Sequence, residues 1–366
     1  MPDSFDIAVL PGDGIGREVM DACLELLAAA GKASGGPRLA LTTYPAGALH
    51  YKESGEALPG ATLEAARRAD AILFGAMGWP DIRYPDGTEP IPQLDLRMAL
   101  DLYAGVRPIR WFPGLPRVLA DERAREIDFV LVREQTEGLF YARGRGKVID
   151  DREAYDTMQI TRVGTARVSE FAFRLAESRR ARRGCARVTC VDKSNVFTSM
   201  AFWRQVFDDV AAKYPDVARD YAYVDAMALT MVKKPWTLDV MVTENMFGDI
   251  LSDLGAGLIG GMGMAPSADV GDKHALFQPA HGTAPDIAGQ GKANPSAMFL
   301  SAAMMLDWLA DRHGEPTLEV RARLIERALE AALQTVTPME LGGPAGCAEV
   351  TRATIAALPA AQRRVA

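Results

Sequence analysis

Short apolar runs alternate with longer amphipathic segments along most of the chain. Runs of consecutive apolar residues, many of them β-branched, predict buried strands at 6–10, 71–74, 129–132, 187–191 and 238–243. Apolar residues at helical spacing predict helices with one buried face at 17–30, 94–102, 167–183, 297–309 and 318–333. Strands that alternate with helices in this way indicate an α/β protein.

Residues 238–266 carry the strongest local signal for chemistry. After the predicted strand, Asp249 and Asp253 lie four positions apart. In a helix both carboxylates would project from one face, one turn apart. A divalent cation would relieve their repulsion, and oxygen ligands favour Mg²⁺ or Mn²⁺. The alternative is a solvated acidic face, which fits less well because apolar residues such as Phe247 and Ile250 surround the pair.

A glycine-rich turn at 11–16 follows the first predicted strand. A strand, a glycine turn and a helix are typical of a dinucleotide-binding Rossmann unit. Here Arg17 occupies the position of the third glycine in the G-x-G-x-x-G fingerprint, since the glycines lie at 12, 14 and 16. The spacing therefore argues against a conventional Rossmann site.

Polar residues follow several predicted strands. Arg133 ends the strand at 129–132, Lys193 follows the strand at 187–191, and Asp225 repeats this arrangement after Tyr223 and Val224. Open α/β sheets bind their ligands at the carboxyl ends of strands. We therefore expect a ligand near these side chains.

Three further segments give weaker signals. Residues 138–150, rich in glycine and arginine, predict a hairpin or arm that contacts another subunit. Residues 277–289 predict a loop of small residues, where backbone can approach a ligand closely. The lone His281 of that loop is by itself more often structural than functional. The basic cluster at 179–183 is interpreted as the solvated C-terminal end of a helix, a place that favours cations.

Composition excludes several classes of function. With 48% hydrophobic and 24% charged residues, the chain of 366 residues is typical of a soluble globular protein large enough for two domains. A formal net charge of -7 argues against nucleic-acid binding. The four cysteines form no CxxC pair, which favours a reducing, cytoplasmic location. We expect no signal peptide and no membrane partner, because no apolar run approaches the roughly 20 residues of a membrane helix.

Taken together, the motifs closely resemble those of the β-decarboxylating dehydrogenases, the isocitrate/isopropylmalate dehydrogenase family. The matching segments are PGDGIG at 11–16, Arg97 and Arg107, VRE at 132–134, Lys193, Asp225, GDILSDL at 248–254 and HGTAPDIAGQGKANP at 281–295. The resemblance covers nearly the whole chain. It implies an α/β, two-domain isopropylmalate-dehydrogenase-like fold, with a large mixed sheet flanked by helices, and not a Rossmann fold.

The resemblance also implies a domain division and a subunit arrangement. Residues 1–102 and 260–366 would form a discontinuous nucleotide-binding domain. Residues 103–259 would form a domain for substrate, metal and dimerisation, with an arm near 138–165. The partner implied is a second copy of the chain, in a homodimer with shared active sites.

The activity implied is oxidative decarboxylation of a small hydroxy-dicarboxylate of malate type. The family's three substrate arginines match Arg97, Arg107 and Arg133, whose planar guanidinium groups suit carboxylates. The aspartates that hold Mg²⁺ or Mn²⁺ match Asp225, Asp249 and Asp253. The catalytic lysine, which helps to remove the hydroxyl proton, matches Lys193; in the family it comes, with the residue matching Asp225, from the partner subunit.

NAD is the nucleotide that the resemblance implies. The matching cofactor positions are Ile15, His281, Gly282, Ala284, Asp286, Ile287 and Asn294. Members that use NAD carry aspartate and isoleucine at the positions of Asp286 and Ile287, whereas members that use NADP carry lysine and tyrosine. A carboxylate accepts hydrogen bonds from ribose hydroxyls and repels a 2′-phosphate.

One departure falls on the family's catalytic tyrosine, which protonates the enolate after decarboxylation. Phe140 occupies that position and Tyr141 follows it. Adjacent residues of a strand face opposite sides, so Tyr141 would need a bulge to become the catalytic residue. Otherwise Phe140 lies in the site and a water supplies the proton.

Other departures leave the substrate open. Residues 88–95, which would face the substituent on C3 of the substrate, match neither isopropylmalate nor isocitrate dehydrogenases, and Gln135 stands where many relatives have asparagine. We favour a 3-isopropylmalate-like substrate, with tartrate, D-malate or homoisocitrate as alternatives. A different class, a non-catalytic subunit of a heteromeric dehydrogenase, is suggested only by Phe140, and the retained arginine, lysine and aspartate positions argue against it.

Overall fold

The computed structural model describes residues 3–362, which form a ten-stranded mixed sheet flanked by helices and a separate two-stranded sheet. The strands are β1 (Ser4–Gly12), β2 (Arg38–Thr43), β3 (Ala71–Ala76), β4 (Ala104–Arg110), β5 (Asp128–Glu134), β6 (Lys147–Ile149), β7 (Glu153–Tyr155), β8 (Arg187–Asp192), β9 (Ala218–Tyr223), β10 (Val240–Thr243), β11 (Pro266–Val270) and β12 (Ala275–Pro279). The helices are α1 (Ile15–Ser34), α2 (Ala48–Ser54), α3 (Gly60–Arg68), α4 (Pro92–Ala99), α5 (Arg162–Arg183), α6 (Thr198–Ala211), α7 (Val224–Lys233), α8 (Asn245–Leu258), α9 (Ser296–His313), α10 (Pro316–Leu333) and α11 (Cys347–Gln362).

The large sheet has the strand order β2-β1-β3-β12-β11-β4-β5-β10-β8-β9. Strands β2, β1, β3 and β12 form one parallel block, and β5, β10, β8 and β9 form another. Between the blocks, β11 and β4 run antiparallel to both of their neighbours. The expected α/β fold with a large mixed sheet is therefore confirmed.

Strand order groups the chain into the segments that the resemblance implied. The block that contains β1 is built from residues before 102 and after 260, and the block that contains β5 is built from residues between 103 and 259. The division into two domains, 1–102 with 260–366 and 103–259, stays a prediction. The antiparallel strands at the centre bring residues from both segments side by side.

Every run that predicted a strand or helix overlaps an element of that type, but several elements went unpredicted. Strand β12 lies between β3 and β11, so the expectation of a loop over 277–289 is wrong at its beginning. All five residues of β12 are buried, and Gln278 and Pro279 interrupt the apolar run that would have revealed it. Helix α11 was missed as well, since alanines spread over all its faces weaken the helical pattern.

The segment expected to form a hairpin or arm contains β6 and β7, which pair antiparallel. Every residue of both strands is exposed, including the apolar Val148 and Ile149. Asp150 and Asp151 make the turn with positive φ angles of 52° and 54°. Exposed apolar side chains on an isolated hairpin are typical of a surface that another chain covers.

A buried ion pair fastens α5 to the sheet. Arg179 donates from Nε to Oδ1 of Asp239 at 3.0 Å, and its terminal nitrogen donates to the backbone oxygen of Asp128 at 2.9 Å. The other oxygen of Asp239 accepts from the backbone N–H of Arg187 at 3.0 Å. The predicted solvated basic end of this helix is therefore only partly solvated.

Replacing Arg179 with alanine should destabilise the fold by about 3–5 kcal/mol, because Asp239 would remain as an uncompensated buried charge. Urea unfolding followed by circular dichroism measures this loss. Arg180→Ala, at the exposed neighbouring position, is the matched control and should cost less than about 1 kcal/mol. Equal losses for the two variants would contradict the anchoring role of Arg179.

Candidate active site

A cavity lies at the centre of the large sheet, where α4, β4, β5, α8 and the segment after β12 meet. Its lining includes Arg97, Arg107, Arg133, Phe140, Asp249 and Asp253. His281 and Gly282 line the same cavity. The chain thus brings together the three expected substrate arginines and two of the three expected metal ligands.

The three arginines are buried together. Their side chains are 7%, 8% and 3% exposed for Arg97, Arg107 and Arg133. Burial and repulsion from Arg97 lower the pKa of Arg133 to about 10. Burial also lowers the pKa of Arg107, despite the carboxylate of nearby Asp269. Such a cluster attracts anionic ligands, because a bound negative group offsets the repulsion between the buried guanidinium groups.

Helix α8 fixes the orientation of Arg133. The Oδ1 atom of Asn245 accepts from Nε of Arg133 at 3.0 Å and from a terminal nitrogen at 2.6 Å, and Asp249 pairs with the other terminal nitrogen. Gly248 makes this approach possible, since a Cβ there would lie 2.6 Å from Cγ of Arg133. A larger residue than Gly248 in the first turn of α8 would therefore collide with the side chain of Arg133.

Asp249 and Asp253 lie one turn apart on α8, as the sequence predicted. Glu244 caps the N-terminus of the helix, and its buried carboxylate accepts from the backbone N–H groups of Phe247 at 2.8 Å and Met246 at 3.1 Å. Burial, followed by repulsion from Asp249, raises the pKa of Asp253. Within residues 3–362 no group of three His, Cys, Asp or Glu side chains is arranged to hold a metal ion. The pair suits a divalent cation that takes further ligands from elsewhere.

Lys193 and Asp225 lie together outside the lining of this cavity. The Nζ atom of Lys193 donates to Oδ1 of Asp225 at 2.7 Å, and this hydrogen bond lowers the pKa of the Asp225 carboxyl. Asp225 begins α7 directly after β9, and its side chain is 69% exposed. One chain by itself therefore does not place Asp225 with Asp249 and Asp253.

Apolar side chains are exposed around both groups. Val196 and Phe197 follow Lys193 and are 60% and 50% exposed. Leu229 on α7 is 56% exposed, and Ile250 on α8, beside Asp249, is 63% exposed. Exposed apolar side chains therefore follow Lys193 in the chain and lie on the two helices, α7 and α8, that carry Asp225 and Asp249.

Phe140 and Tyr141 lie in a short 3-10 helix, Leu139–Ala142, so the expectation that they lie in a strand is wrong. The ring of Phe140 lines the cavity, with the guanidinium of Arg133 5.1 Å from its centroid. The ring of Tyr141 instead carries the guanidinium of Arg145, 3.9 Å from its centroid. This geometry favours Phe140 as the aromatic residue of the cavity, and Tyr141 as the proton donor stays a prediction.

A second cavity adjoins the first through His281, which lines both. Its lining is largely apolar and includes four predicted cofactor residues besides His281: Ile15, Ala284, Ile287 and Asn294. Burial lowers the pKa of His281, so the imidazole is neutral near pH 7. Asp286 is exposed beside this cavity. Two adjacent cavities that share a lining residue can hold two molecules next to each other.

The glycine turn at 11–16 borders the second cavity and is not a Rossmann turn. Gly14 has a φ of 54°, and a Cβ there would collide with the backbone of Thr283. The backbone N–H of Ile15 donates to the oxygen of Thr283 at 2.9 Å. The turn therefore packs on the loop that carries most of the predicted cofactor residues.

Several polar residues of the site escaped sequence reasoning. Asp269, Gln135 and Gln278 form a buried cluster behind the arginines, and Glu340 accepts from the side chain of Asn294 at 3.0 Å. No sequence signal marked Asp269, because β11 reads Pro-Ser-Ala-Asp-Val and is too short and too polar to predict a buried strand. No helix among residues 3–362 is long and apolar enough to cross a bilayer.

Comparison with known sequences gives consistent matches over nearly the full length. The family model of isocitrate/isopropylmalate dehydrogenase matches residues 6–354. The 3-isopropylmalate/3-methylmalate dehydrogenase of Methanocaldococcus jannaschii is 41% identical over 339 residues, which are 92% of this chain and 94% of the relative.

Solved structures show the same similarity. The isocitrate dehydrogenase of Methylococcus capsulatus superposes with a TM-score of 0.84 at 35% identity, covering 97% of this chain and 99% of the other. A β-decarboxylating dehydrogenase of Thermococcus kodakarensis gives a TM-score of 0.79 at 37% identity, covering 97% and 96%. At this identity and coverage, sequence and fold similarity agree.

Proposed function

We infer the function from family membership, because this chain belongs to the isocitrate/isopropylmalate dehydrogenase family of decarboxylating oxidoreductases. We propose that it oxidises and decarboxylates a 3-substituted malate with NAD and a divalent cation. The observation that carries the proposal is the cavity in which three buried arginines face two aspartates one helical turn apart. Guanidinium groups grip the carboxylates of the substrate, while the aspartates suit Mg²⁺ or Mn²⁺.

The aspartates fit the metal in charge and in ligand type. Burial raises the pKa of Asp253 and repulsion from Asp249 raises it further, and a cation between the two carboxylates would remove that repulsion. Asp225 of a second copy would complete the set. When bound, the metal supplies Lewis-acid stabilisation of the oxygen on C2. The protein's own contribution is to orient the hydroxy acid through Arg97, Arg107 and Arg133.

Lys193 would accept the hydroxyl proton, directly or through water. Its hydrogen bond to Asp225 fixes the position of Nζ, and both residues are accessible on the surface of the chain. A homodimer with shared active sites would bring them to the cavity of the partner. The exposed Val196, Phe197 and Leu229 support this arrangement, since a second copy would bury them.

NAD would occupy the second cavity. Ile15, Ala284 and Ile287 offer an apolar surface to an adenine ring, and His281 stands between the two cavities. Gly282, Asp286 and Asn294 complete the proposed set. The exposed carboxylate of Asp286 would bind ribose hydroxyls and repel a 2′-phosphate. When bound there, NAD would supply the acceptor for the hydride on C2.

Protonation of the enolate after decarboxylation is the step with two candidates. Tyr141 matches the family's tyrosine only after a shift of one position, whereas Phe140 lines the cavity. We propose that Phe140 faces the substrate and that a water delivers the proton. Tyr141 as catalytic acid is the alternative that mutation can decide.

Relatives' names favour a 3-isopropylmalate-type substrate, and the cavity gives a mixed signal. Met77, Ile91 and Leu94 line it with apolar surface, while Gln93 adds a polar amide among them. Tartrate, D-malate and homoisocitrate are the alternatives. The alternative of a different class is a non-catalytic subunit of a heteromeric dehydrogenase. The cavity argues against this alternative, because it brings together the arginines and aspartates that an active enzyme would need. The cytoplasmic location stays a prediction.

The proposal is tested by incubating the purified chain with Mn²⁺ and 3-isopropylmalate, malate, tartrate, isocitrate or homoisocitrate. We expect one of these acids to be oxidised, with CO₂ released and a larger kcat/KM for NAD than for NADP. Asp286→Lys combined with Ile287→Tyr should lower the ratio of kcat/KM with NAD to kcat/KM with NADP. A larger kcat/KM with NADP for the unmutated protein would refute the proposed role of Asp286. No turnover of any acid would favour the non-catalytic subunit.

Asp249→Asn should weaken Mn²⁺ binding at least about tenfold, because it removes one of the two charged ligands that the cavity supplies. Titration calorimetry measures the dissociation constant, and circular dichroism checks that the fold survives. Asp311→Asn, an exposed change on α9, is the control and should leave binding unaltered. Identical Mn²⁺ affinity in both variants would remove Asp249 from the metal site.

Tyr141→Phe should change kcat little, since it keeps the ring that Arg145 covers. If Tyr141 were the general acid, the same change would lower kcat by a large part of the roughly 10²–10⁴-fold typical of such catalysis. NADH and CO₂ are measured side by side for this variant and for Phe140→Tyr. A strongly impaired Tyr141→Phe enzyme that still releases one CO₂ per NADH would contradict the placement of Phe140.

A further inference from the structure

Asp269 is a fully buried carboxylate that contacts the arginine cluster from behind. Its Oδ2 atom accepts from Nε of Arg97 at 2.8 Å, and its Oδ1 atom lies 3.6 Å from a terminal nitrogen of Arg107. Burial alone would raise the pKa of Asp269, but the two guanidinium groups outweigh burial and hold the pKa below its usual value. The residue is therefore an anion inside the protein.

Two glutamines complete the surroundings of this carboxylate. Gln135 donates from Nε2 to Oδ1 of Asp269 at 2.6 Å, and Gln278, which also lines the cavity, donates to Oδ2 at 3.0 Å. Both glutamines are buried. With each oxygen bound by an amide and an arginine, Asp269 is held in one orientation, and it holds Arg97 and Arg107 in turn.

The sheet is built to allow this contact. Gly105 of β4 lies between Asp269 of β11 and Arg133 of β5, as the residue paired with each. A Cβ on Gly105 would collide with Nε2 of Gln135. Glycine inside a strand is unfavourable and often marks a place where another group approaches closely. Because Gly105 has no side chain, the side chain of Gln135 can reach Asp269.

We propose that Asp269 is a positioning residue that adapts the cavity to a substrate with two carboxylates and excludes one with three. This inference rests on the proposed function. Arg97, Arg107 and Arg133 are matched in charge by Asp249, Asp253 and Asp269, so a divalent cation would leave an excess of two positive charges. The paired Lys193 and Asp225 of a second copy would add one charge of each sign and leave this excess unchanged. That excess equals the charge of a malate-type dicarboxylate. A tricarboxylate would bring a further negative charge into a cavity from which Asp269 cannot move.

The proposal selects among the substrates left open above. Malate, tartrate and 3-isopropylmalate carry two carboxylates, whereas isocitrate and homoisocitrate carry three. Arg97 donates from Nε to Asp269, and this bond aligns the guanidinium group of Arg97. The negative charge of Asp269 also weakens the attraction between Arg97 and an anionic ligand. The structural neighbour described as an isocitrate dehydrogenase shares this fold, so the fold does not fix the number of carboxylates.

The test compares the unmutated protein with Asp269→Asn, which removes the charge and keeps the shape. We expect kcat/KM for the preferred dicarboxylate to exceed that for isocitrate and homoisocitrate at least about 100-fold in the unmutated protein. In Asp269→Asn this ratio should fall by about tenfold or more, since a buried charge is removed close to the ligand. Binding of the same acids to the Mn²⁺-loaded protein without NAD, measured by calorimetry, should show the same change in ratio.

Asp272→Asn is the matched control, because it removes a carboxylate three positions on that accepts from the hydroxyl of Tyr103 at 3.0 Å and has no bond to the arginine cluster in the described contacts. It should leave the ratio unchanged. Asp269→Ser is a second neutral variant in case Asp269→Asn does not fold, and melting temperatures check both. A purely structural role would lower kcat/KM for all acids alike, and that result would overturn the proposal.

Two other outcomes separate this inference from the proposed function. Preferred oxidation of isocitrate or homoisocitrate by the unmutated protein would refute the role of Asp269 and leave the dehydrogenase activity standing. If no acid were oxidised, the proposed function would fail, and calorimetry would still test Asp269. Tighter binding of a tricarboxylate than of every dicarboxylate would then refute it.

Discussion

The burial of three arginines at the centre of the sheet is the constraint on which the rest of the site depends. Isolated buried cations are strongly unfavourable, so the surrounding elements must supply negative groups and hydrogen-bond acceptors. Strand β11 supplies Asp269, and helix α8 supplies Asn245 and Asp249. The strand order places β11 beside β4 and β4 beside β5, and this brings the partners within reach of the arginines.

Helix α8 both contacts Arg133 and presents carboxylates to the cavity. One helix can do both, because residues at different positions of the helical turn face different directions. Asn245 and Gly248 face Arg133, while Asp249 and Asp253 face the cavity. Ile250, on another face of the helix, remains exposed and available to a second copy. A single helix thus connects the anion-binding arginines, the proposed metal site and the proposed subunit contact.

The site of one chain is incomplete in a specific way. Its cavity has the arginines and two carboxylates, but Lys193 and Asp225 lie together elsewhere, paired with each other. A pair of opposite charges on the surface is tolerated with little effect on stability. Under the proposed function, each copy would deliver this pair to the cavity of a neighbour, and association between copies would be a condition for the chemistry.

The α/β class, five of the twelve strands, five of the eleven helices and the charged residues that match the family could be inferred from the amino-acid sequence alone. These follow from local period and motif spacing, which the chain order contains directly. The place of Phe140 in the cavity lining became clear only from the folded chain, because a 3-10 turn sets the direction of its side chain. Only the tertiary structure brought Asp269 to Arg97, 172 positions away. Contacts across a mixed sheet depend on strand order, and no local pattern specifies that order.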